Sequence, residues 1–303
     1  MKKVFRTAFR ILAMLGFAYV AILVFLLLNE TNLVYPGSRY PRGNWNPTKF
    51  AFEEIEFQSS DGTKLVGWYI PNPAAKSPDV QSGSLDDEAP DDVEAAKNAP
   101  IQRAILYCHG NGENVSQSAA GNGILFATVL QADLFVFDYR GFGKSEGTPF
   151  EAGVLSDSEA ALQWLKKRSG LDYKDIILVG HSLGGGPAVH LASKFGGDIL
   201  ILQRTFDRLT SPAQNQYPWL PVTYLMRNQF PSVDKIKTCD IPLFQSHGAE
   251  DKLIPIEMGK KLFEASPAEQ KEFFQVDGMT HWDPLPASYW QAVRVFVEKN
   301  ETR

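Results

Sequence analysis

LVGHSLGGGPAVH, residues Leu178 to His190, places a serine among glycines directly after an apolar run. Such a stretch is a catalytic serine on a strained turn, a phosphate-binding loop or a flexible connection. A nucleophile elbow needs its serine between a strand and a helix, with small residues two positions away on each side. Ser182 meets this requirement, because DIILV precedes it and a helix candidate from Leu183 towards Lys194 follows. The context predicts an elbow.

A second G-x-S-x-G pattern, GKSEG around Ser145, means that the motif alone decides nothing. The predicted strand before Ser145 ends at Asp138, seven residues earlier, and Thr148-Pro149 follows the motif. A serine in such a loop more often bonds its own backbone than attacks a substrate. We therefore interpret DYRGFGKSEGT as a structural loop near the site.

The phosphate-loop interpretations fail on composition. GFGKS lacks the first glycine of G-x-x-x-x-G-K-S, because Asp138 stands at that position. GHSLGGG contains no lysine, and no dinucleotide-binding G-x-G-x-x-G opens the first strand-helix unit. No cofactor is therefore expected.

Short apolar runs alternate with helical stretches from Arg103 onward. Continuous apolar strands, each followed by a helix, indicate a mostly parallel sheet with helices on both faces. Ligands in such sheets bind at the carboxyl ends of the strands. The predicted strands are EEIEF and KLVGWYI, then RAILYC, ADLFVFD, DIILVG, DILILQ, IPLFQSH and KEFFQV.

His281 is the predicted general base. A serine hydroxyl needs such a base, and the base needs an orienting acid. His281 lies in VDGMTHWD, after the last strand and before the final helix candidate, where the chain order Ser, Asp, His places a base. A surface loop residue is the alternative. The other histidines are expected to be structural: His109, His181, His190 and His247.

Asp251 is the predicted acid, because LFQSHGAEDKLIP places it in the loop after the preceding strand. Asp207, in RTFDRL, is the second choice, and Asp283 is too close to His281 in sequence to orient it easily. Oxyanion donors are expected from the backbone N–H of Leu183, which follows the nucleophile, and from Asn111 in the HGNG loop.

The N-terminus predicts a membrane anchor. Residues 1–10 are basic, and the uncharged run Ile11 to Leu28 spans about 27 Å as a helix, enough to cross most of a hydrocarbon core. Basic residues ahead of the run favour a cytoplasmic N-terminus and an extracytoplasmic catalytic domain. A cleaved signal peptide is the alternative, but the run exceeds a typical apolar region and LLLNETN offers no small-residue cleavage site.

The remainder of the chain divides into a connector at 29–49 and one domain at 50–303. An acidic insertion at 71–100 interrupts this domain, and its low hydrophobicity predicts a disordered surface loop. That insertion carries the whole net charge of −5, and no basic stripe suggests a nucleic acid partner. Residues 207–240 are the only room for a lid. Two cysteines, Cys108 and Cys239, are too few for a disulfide framework or a zinc site.

Five motifs taken together resemble the α/β-hydrolase superfamily: YCHGNGENV, DYRGFGKSEGTP, VGHSLGGGPAVHLAS, HGAEDKLIP and GMTHWD. They are most similar to its membrane-anchored serine hydrolases with short lids, which include lysophospholipid lipases and protein depalmitoylases. The resemblance covers about Phe52 to Glu298. It implies Ser182 as nucleophile, Asp251 as acid, His281 as base, and Asn111 and Leu183 as oxyanion donors. RTFDRL departs from the group's pattern, so Arg204 and Asp207 are expected to alter the pocket.

The sequence therefore predicts a membrane-anchored serine hydrolase that cleaves a carboxylic ester or thioester through an acyl-serine intermediate. A small-molecule or acylated, lipid-like substrate is expected beside the membrane. Two alternatives stay open: a catalytically idle scaffold that binds a membrane partner, and a cofactor-free peroxidase of the same fold. Dehalogenases and epoxide hydrolases are disfavoured, because they are expected to carry Asp at position 182.

Overall fold

The computed structural model describes residues 2–73 and 103–300, and its centre is one eight-stranded sheet. All eight strands predicted from the apolar runs form. Their bounds are β1 (Glu53–Gln58), β2 (Lys64–Ile70), β3 (Ala104–Cys108), β4 (Asp133–Phe137), β5 (Ile176–His181), β6 (Leu200–Gln203), β7 (Leu243–Gly248) and β8 (Lys271–Val276).

The strand order is β1-β2-β4-β3-β5-β6-β7-β8, with β1 and β2 antiparallel to their neighbours and the other pairs parallel. Strands β3 to β7 are buried at every position, as both-face coverage requires. Strand β1 at one edge alternates between half-buried and exposed positions instead. The mostly parallel sheet predicted from the sequence is confirmed.

Helices cover both faces of the sheet within the described residues. Their bounds are α1 (Lys2–Val34), α2 (Val115–Ser118), α3 (Ile124–Leu130), α4 (Glu151–Ser169), α5 (Gly185–Phe195), α6 (Thr210–Gln216), α7 (Val222–Leu225), α8 (Ser232–Lys235), α9 (Ile256–Ala265) and α10 (Ala287–Asn300). One hydrophobic cluster joins α4, α5 and α9 to one face, and a second joins α3 and α10 to the other. Each layer buries its apolar stripe against the sheet, which is the main source of stability.

The N-terminal helix α1 is long and apolar, and its apolar residues 4–22 are largely exposed. By length and composition it is long enough to cross a membrane, over Lys3–Val34. It extends beyond the apolar run predicted at 11–28 and takes in the first residues of the predicted connector at 29–49. The reason is tertiary: the end of α1 packs on the domain, where Glu30 and Tyr35 are buried.

The end of α1 is fastened by a buried hydrogen-bond network. Glu30 Oε1 accepts hydrogen bonds from the backbone N–H groups of Arg227 and Asn228, at 2.8 and 2.9 Å, and from Asn228 Nδ2 at 2.9 Å. Asn228 Oδ1 in turn accepts from the Tyr35 hydroxyl at 2.8 Å and from the Glu151 N–H at 2.7 Å. Burial first, and then the nearby carboxylates of Glu151 and Glu30, raise the pKa of Tyr35, which stays a neutral donor.

The segment expected to form a lid, 207–240, contains the short helices α6, α7 and α8. Its aromatic residues divide by environment. Phe230 is buried and presses on Gly186, where an added Cβ would lie 2.6 Å from the ring. Tyr217, Trp219 and Tyr224 are exposed, at 43%, 55% and 89%. Of the acidic insertion expected at 71–100, residues 74–100 lie outside the described part of the chain.

Candidate active site

The elbow at Ser182 stands where β5 meets α5, and a single tight turn, Ser182–Gly184, separates the two elements. Ser182 has φ of +51°, a left-handed conformation that is strained for a residue with a side chain. An added Cβ at Gly184 would lie 1.9 Å from the Cys108 carbonyl oxygen, and one at Gly180 would lie 2.6 Å from the Gly184 oxygen. The two glycines of the motif are therefore required by close backbone approach.

The side chains of Ser182, His281 and Asp251 come from three different loops and form one chain of hydrogen bonds. His281 Nε2 lies 3.1 Å from Ser182 Oγ, and His281 Nδ1 lies 2.7 Å from Asp251 Oδ2. All three residues are buried, at 6%, 3% and 4% exposure. The structure thus brings together the three residues that the sequence predicted as nucleophile, base and acid. Such a chain of hydrogen bonds allows a serine hydroxyl to transfer its proton to the histidine as the oxygen attacks a substrate.

Asp251 is held ionised and fixed by further donors. Its Oδ1 accepts hydrogen bonds from the backbone N–H groups of Leu253 and Ile254 at 3.0 and 2.9 Å. Burial by itself raises the pKa of this carboxyl, but the hydrogen bonds from His247, His281 and the Ile254 N–H outweigh it. The pKa of Asp251 therefore lies below its usual range. A permanently charged acid orients the imidazole and stabilises the imidazolium that forms during reaction.

The HGNG loop lies directly against the serine. An added Cβ at Gly110 would lie 3.5 Å from Ser182 Cβ and 3.3 Å from His181 Nδ1. The next residue, Asn111, donates a hydrogen bond from its side chain to the Val34 carbonyl at 3.1 Å. Leu183, the other predicted oxyanion residue, is buried in the tight turn after the nucleophile. Leu183 thus follows the serine directly and Asn111 follows the glycine that contacts it, and their role as oxyanion donors stays a prediction.

The competing residues have other partners. The Ser145 hydroxyl donates to the Asp138 carbonyl at 2.8 Å and accepts from the Val66 N–H at 2.9 Å, so it ties loop to strand. Asp207 accepts a hydrogen bond from Lys261 Nζ at 2.6 Å. Asp283 accepts from the N–H and hydroxyl of Thr280, both at 2.6 Å. These contacts give each residue a structural role.

The histidines expected to be structural differ in their distance from His281: the His181 ring stacks beside the His281 ring at 6.0 Å between centroids, whereas His109 and His190 bond other groups. Burial lowers the pKa of His109 to about 4 and that of His181 to about 3. His109 Nδ1 bonds the Gly110 carbonyl at 2.7 Å, and His190 Nε2 bonds Glu159 at 2.7 Å. His247 differs, because its Nε2 lies 2.7 Å from the Ile254 carbonyl and 3.5 Å from Asp251 Oδ2. The His247 ring therefore lies beside the Asp251 carboxylate, as the His281 ring does.

Arg204 is a supporting residue whose position the sequence did not reveal. Its buried guanidinium contacts the loop that carries His281, and its expected effect on the pocket stays a prediction. Its Nη1 donates to the His281 carbonyl at 2.5 Å, and Nη2 donates to the Asp283 carbonyl and lies 3.2 Å from Met279 Sδ. Like Ser182, Arg204 has a positive φ, of +49°.

Similarity to known proteins agrees with this geometry. Residues 103–233 match the family model of the alpha/beta hydrolase fold. The chain is 30% identical over 241 residues to the uncharacterized protein YfhR of Escherichia coli K12, covering 77% of this chain and 75% of that protein. The chain belongs to the α/β-hydrolase family.

Another relative and several solved structures match over much of this α/β-hydrolase. Mouse alpha/beta hydrolase domain-containing protein 17C is 33% identical over 201 residues, which cover 66% of this chain and 61% of that protein. Among solved structures, the Pyrococcus furiosus esterase Pf2001 superposes with a TM-score of 0.64 at 18% identity, over 87% of this chain and 98% of that one. This last likeness concerns the fold.

Metal-binding side chains do not cluster in the described part of this α/β-hydrolase. Within residues 2–73 and 103–300, no group of three or more His, Cys, Asp or Glu side chains is arranged to hold a metal ion. Cys108 and Cys239 are both buried free thiols. Burial raises the pKa of Cys239 to about 11, so this thiol stays protonated at neutral pH.

Proposed function

We propose that this α/β-hydrolase is a serine hydrolase that cleaves a carboxylic ester or thioester through an acyl-Ser182 intermediate. The observation that carries the proposal is the continuous line from Ser182 Oγ to His281 Nε2, at 3.1 Å, and from His281 Nδ1 to Asp251 Oδ2, at 2.7 Å. A buried serine, a base within hydrogen-bond reach and an ionised acid behind the base are the parts that acyl transfer needs.

In the proposed reaction, Ser182 Oγ attacks the substrate carbonyl while His281 Nε2 takes the hydroxyl proton. The tetrahedral oxyanion accepts hydrogen bonds from the N–H groups of Leu183 and Asn111, each of which is worth about 3 to 4 kcal/mol in such sites. His281 then gives the proton to the leaving alcohol or thiol. Water, deprotonated by the same imidazole, hydrolyses the acyl enzyme and restores Ser182.

The first prediction concerns the nucleophile. A fluorophosphonate probe is expected to label the wild-type protein and to leave Ser182→Ala unlabelled, because the probe reacts only with an activated serine. Hydrolysis of a short-chain p-nitrophenyl ester should fall by at least about 10³-fold in the same variant. Gel fluorescence and a spectrophotometric rate assay provide the two measurements.

Ser145→Ala is the matched control, since Ser145 is the centre of the other G-x-S-x-G pattern. It should label normally if it folds, because its hydroxyl only bridges the Asp138 carbonyl and the Val66 N–H. Labelling that survives Ser182→Ala would refute the assignment. Folded wild-type protein that neither reacts with the probe nor hydrolyses esters would instead support an idle scaffold.

We further propose that α1 is an uncleaved membrane anchor with the catalytic domain on the extracytoplasmic side. The buried contacts of Glu30 support retention of the last turn of α1, because a chain that begins after Glu30 would leave three donors of residues 227 and 228 without their acceptor. The length of the apolar run and the lack of a small-residue cleavage site in LLLNETN support retention of the rest. Lys2, Lys3, Arg6 and Arg10 before the apolar run support the orientation. An anchored active site favours lipid-like or acylated substrates.

A further inference from the structure

An apolar cavity of about 300 Å³ lies between the end of α1 and the short helices α6 and α7. Its volume is at the lower end of the range for ligand pockets, about 300 to 1,000 Å³. Leu23, Leu27 and Val34 of α1 line one side, and Ala213, Leu220 and Met226 line the other. The cavity belongs to neither part alone, because the anchor helix supplies one of its walls.

The wall contributed by α1 is one stripe of the helix. Leu23, Leu27, Glu30 and Val34 follow one another at intervals of three or four residues and therefore lie on the same face. The Glu30 carboxylate contacts the 227–228 segment, which fixes this face against the domain. Further towards the N-terminus, the Tyr19 hydroxyl bonds the Trp219 carbonyl at 3.2 Å, so α1 also contacts the loop between α6 and α7.

Two residues of the cavity lining belong to the surroundings of the candidate active site. Asn111, the predicted oxyanion donor, forms part of the cavity lining and ties the HGNG loop to Val34 of α1. Leu253 also lines the cavity, and its N–H is bonded to the Asp251 carboxylate. The cavity lining thus shares Asn111 with the candidate site and includes a residue bonded to the Asp251 carboxylate.

The chemistry of this cavity fits a linear hydrocarbon chain. Its walls are Leu, Val, Met, Pro and Ala side chains with few polar groups, and 300 Å³ holds roughly ten methylene-sized groups at about 30 Å³ each. The helix that forms its wall is also the candidate membrane span, so the cavity adjoins the lipid-facing surface of α1. A chain that enters from the bilayer would pass from one apolar environment to another.

We infer that this cavity binds the acyl chain of the substrate, so that the anchor helix α1 is a substrate-binding element as well as an anchor. The inference rests on the proposed serine hydrolase function, whose acyl group it locates. It specifies the substrate class as esters or thioesters of medium or long linear acyl chains. Chain-length preference should therefore depend on side chains of α1, which are distant in sequence from the catalytic residues.

The test uses the full chain in phosphatidylcholine nanodiscs and p-nitrophenyl esters from acetate to decanoate. Leu23→Trp and Ala213→Trp each fill the cavity from opposite walls. The ratio of kcat/KM for octanoate to that for acetate should fall about tenfold or more in both variants, because each methylene kept in the cavity contributes roughly a three- to fourfold factor. Val24→Trp is the matched control, since Val24 is 47% exposed and does not line the cavity.

The lipid takes up long-chain esters equally in all four preparations, so partition cancels from the comparison. A wild-type ratio in Val24→Trp, with a reduced ratio in both cavity variants, supports the inference. Ser182-dependent hydrolysis with the same ratio in every variant overturns the acyl cavity and leaves the proposed function standing. Absence of any Ser182-dependent hydrolysis in the wild type overturns both.

Discussion

Arg204 illustrates how a residue can control the base without contacting the substrate. Its guanidinium bonds the carbonyl of His281 and that of Asp283, on either side of Trp282. These bonds fix the backbone on both sides of Trp282 and, together with the Asp251 hydrogen bond to His281 Nδ1, help to hold the imidazole in line with Ser182. Arg204 is therefore a positioning residue for the proposed reaction.

Replacement of this guanidinium should separate positioning from binding. Arg204→Gln is expected to lower kcat by about 10- to 100-fold with little change in KM, because a displacement of about 1 Å at the base has an effect of that size. Steady-state kinetics on one short-chain ester provide both constants. Arg208→Gln is the control, because the Arg208 guanidinium pairs with the exposed Asp234 carboxylate at 3.0 Å. An unchanged kcat in Arg204→Gln would refute the positioning role.

At the residue scale, the sequence predicted the three members of the hydrogen-bonded line because each follows a strand that was visible as an apolar run. It could not predict the contacts of Arg204, since the His281 carbonyl is distant in the chain. Every residue has a backbone carbonyl, so the residue type does not show which one accepts a hydrogen bond. The sequence also could not predict that His247 lies beside Asp251. Its residue type gave no sign that it would face Asp251 across a turn.

At the scale of elements, α1 combines an exposed apolar surface with an end that packs on the domain. Its exposed apolar residues 4–22 make up most of its length, whereas its last turns carry the buried Glu30. The apolar run alone predicted a span at 11–28. It could not predict that the helix continues to Val34. This end is held by a hydrogen bond between Glu30 and Asn228, which lie 198 residues apart in the chain.

We expect the mature protein to keep α1, because its last turn is part of the folded domain through Glu30 and the apolar run offers no small-residue cleavage site. Intact-mass analysis of the purified protein should give the full chain, without loss of an N-terminal peptide. In sealed, right-side-out vesicles, added protease should degrade the catalytic domain. A mature chain that begins after Leu28 would contradict the anchor, and a domain protected inside intact vesicles would contradict the orientation.

The lid segment marks the limit of prediction from hydrophobicity. Phe230 and Tyr224 are both large aromatic residues of this segment, yet one packs against Gly186 and the other is 89% exposed. Residue type fixes how favourable burial is, but only the path of the chain between α6 and α8 determines which side chain is buried. The eight strands were easier, because full burial on both faces imposes continuous apolar runs.

At the scale of the whole molecule, several ionisable groups are buried in the core beside the site. His181 is among them: burial, together with the nearby charges of His281 and Arg204, lowers its pKa to about 3, against the opposite effect of Asp251. An unfolded chain protonates this imidazole below about pH 6.5, whereas the folded protein does so only near pH 3. Between these values the unfolded state binds more protons, so acid favours unfolding.

His181→Gln removes this titration and should therefore change the pH dependence of stability. Relative to wild type, the variant is expected to gain about 2 kcal/mol between pH 7 and pH 5, since each pH unit below 6.5 costs the wild type about 1.4 kcal/mol. Chemical unfolding followed by tryptophan fluorescence at both pH values measures the difference. A difference between the two proteins that does not change with pH would rule out a buried neutral imidazole at position 181.

The joint between α1 and the domain has a kinetic consequence. With a flexible linker, the domain of an anchored hydrolase would move freely in the solution near the membrane. Dissolved substrate would then reach its active site as easily as substrate in the lipid. The Glu30 network removes that freedom, because it fixes the last turn of α1 to the 227–228 segment. In the proposed reaction, turnover is then governed by the number of acyl chains per unit area of membrane, so dilution of the substrate with inert lipid should slow it even when the bulk concentration is constant.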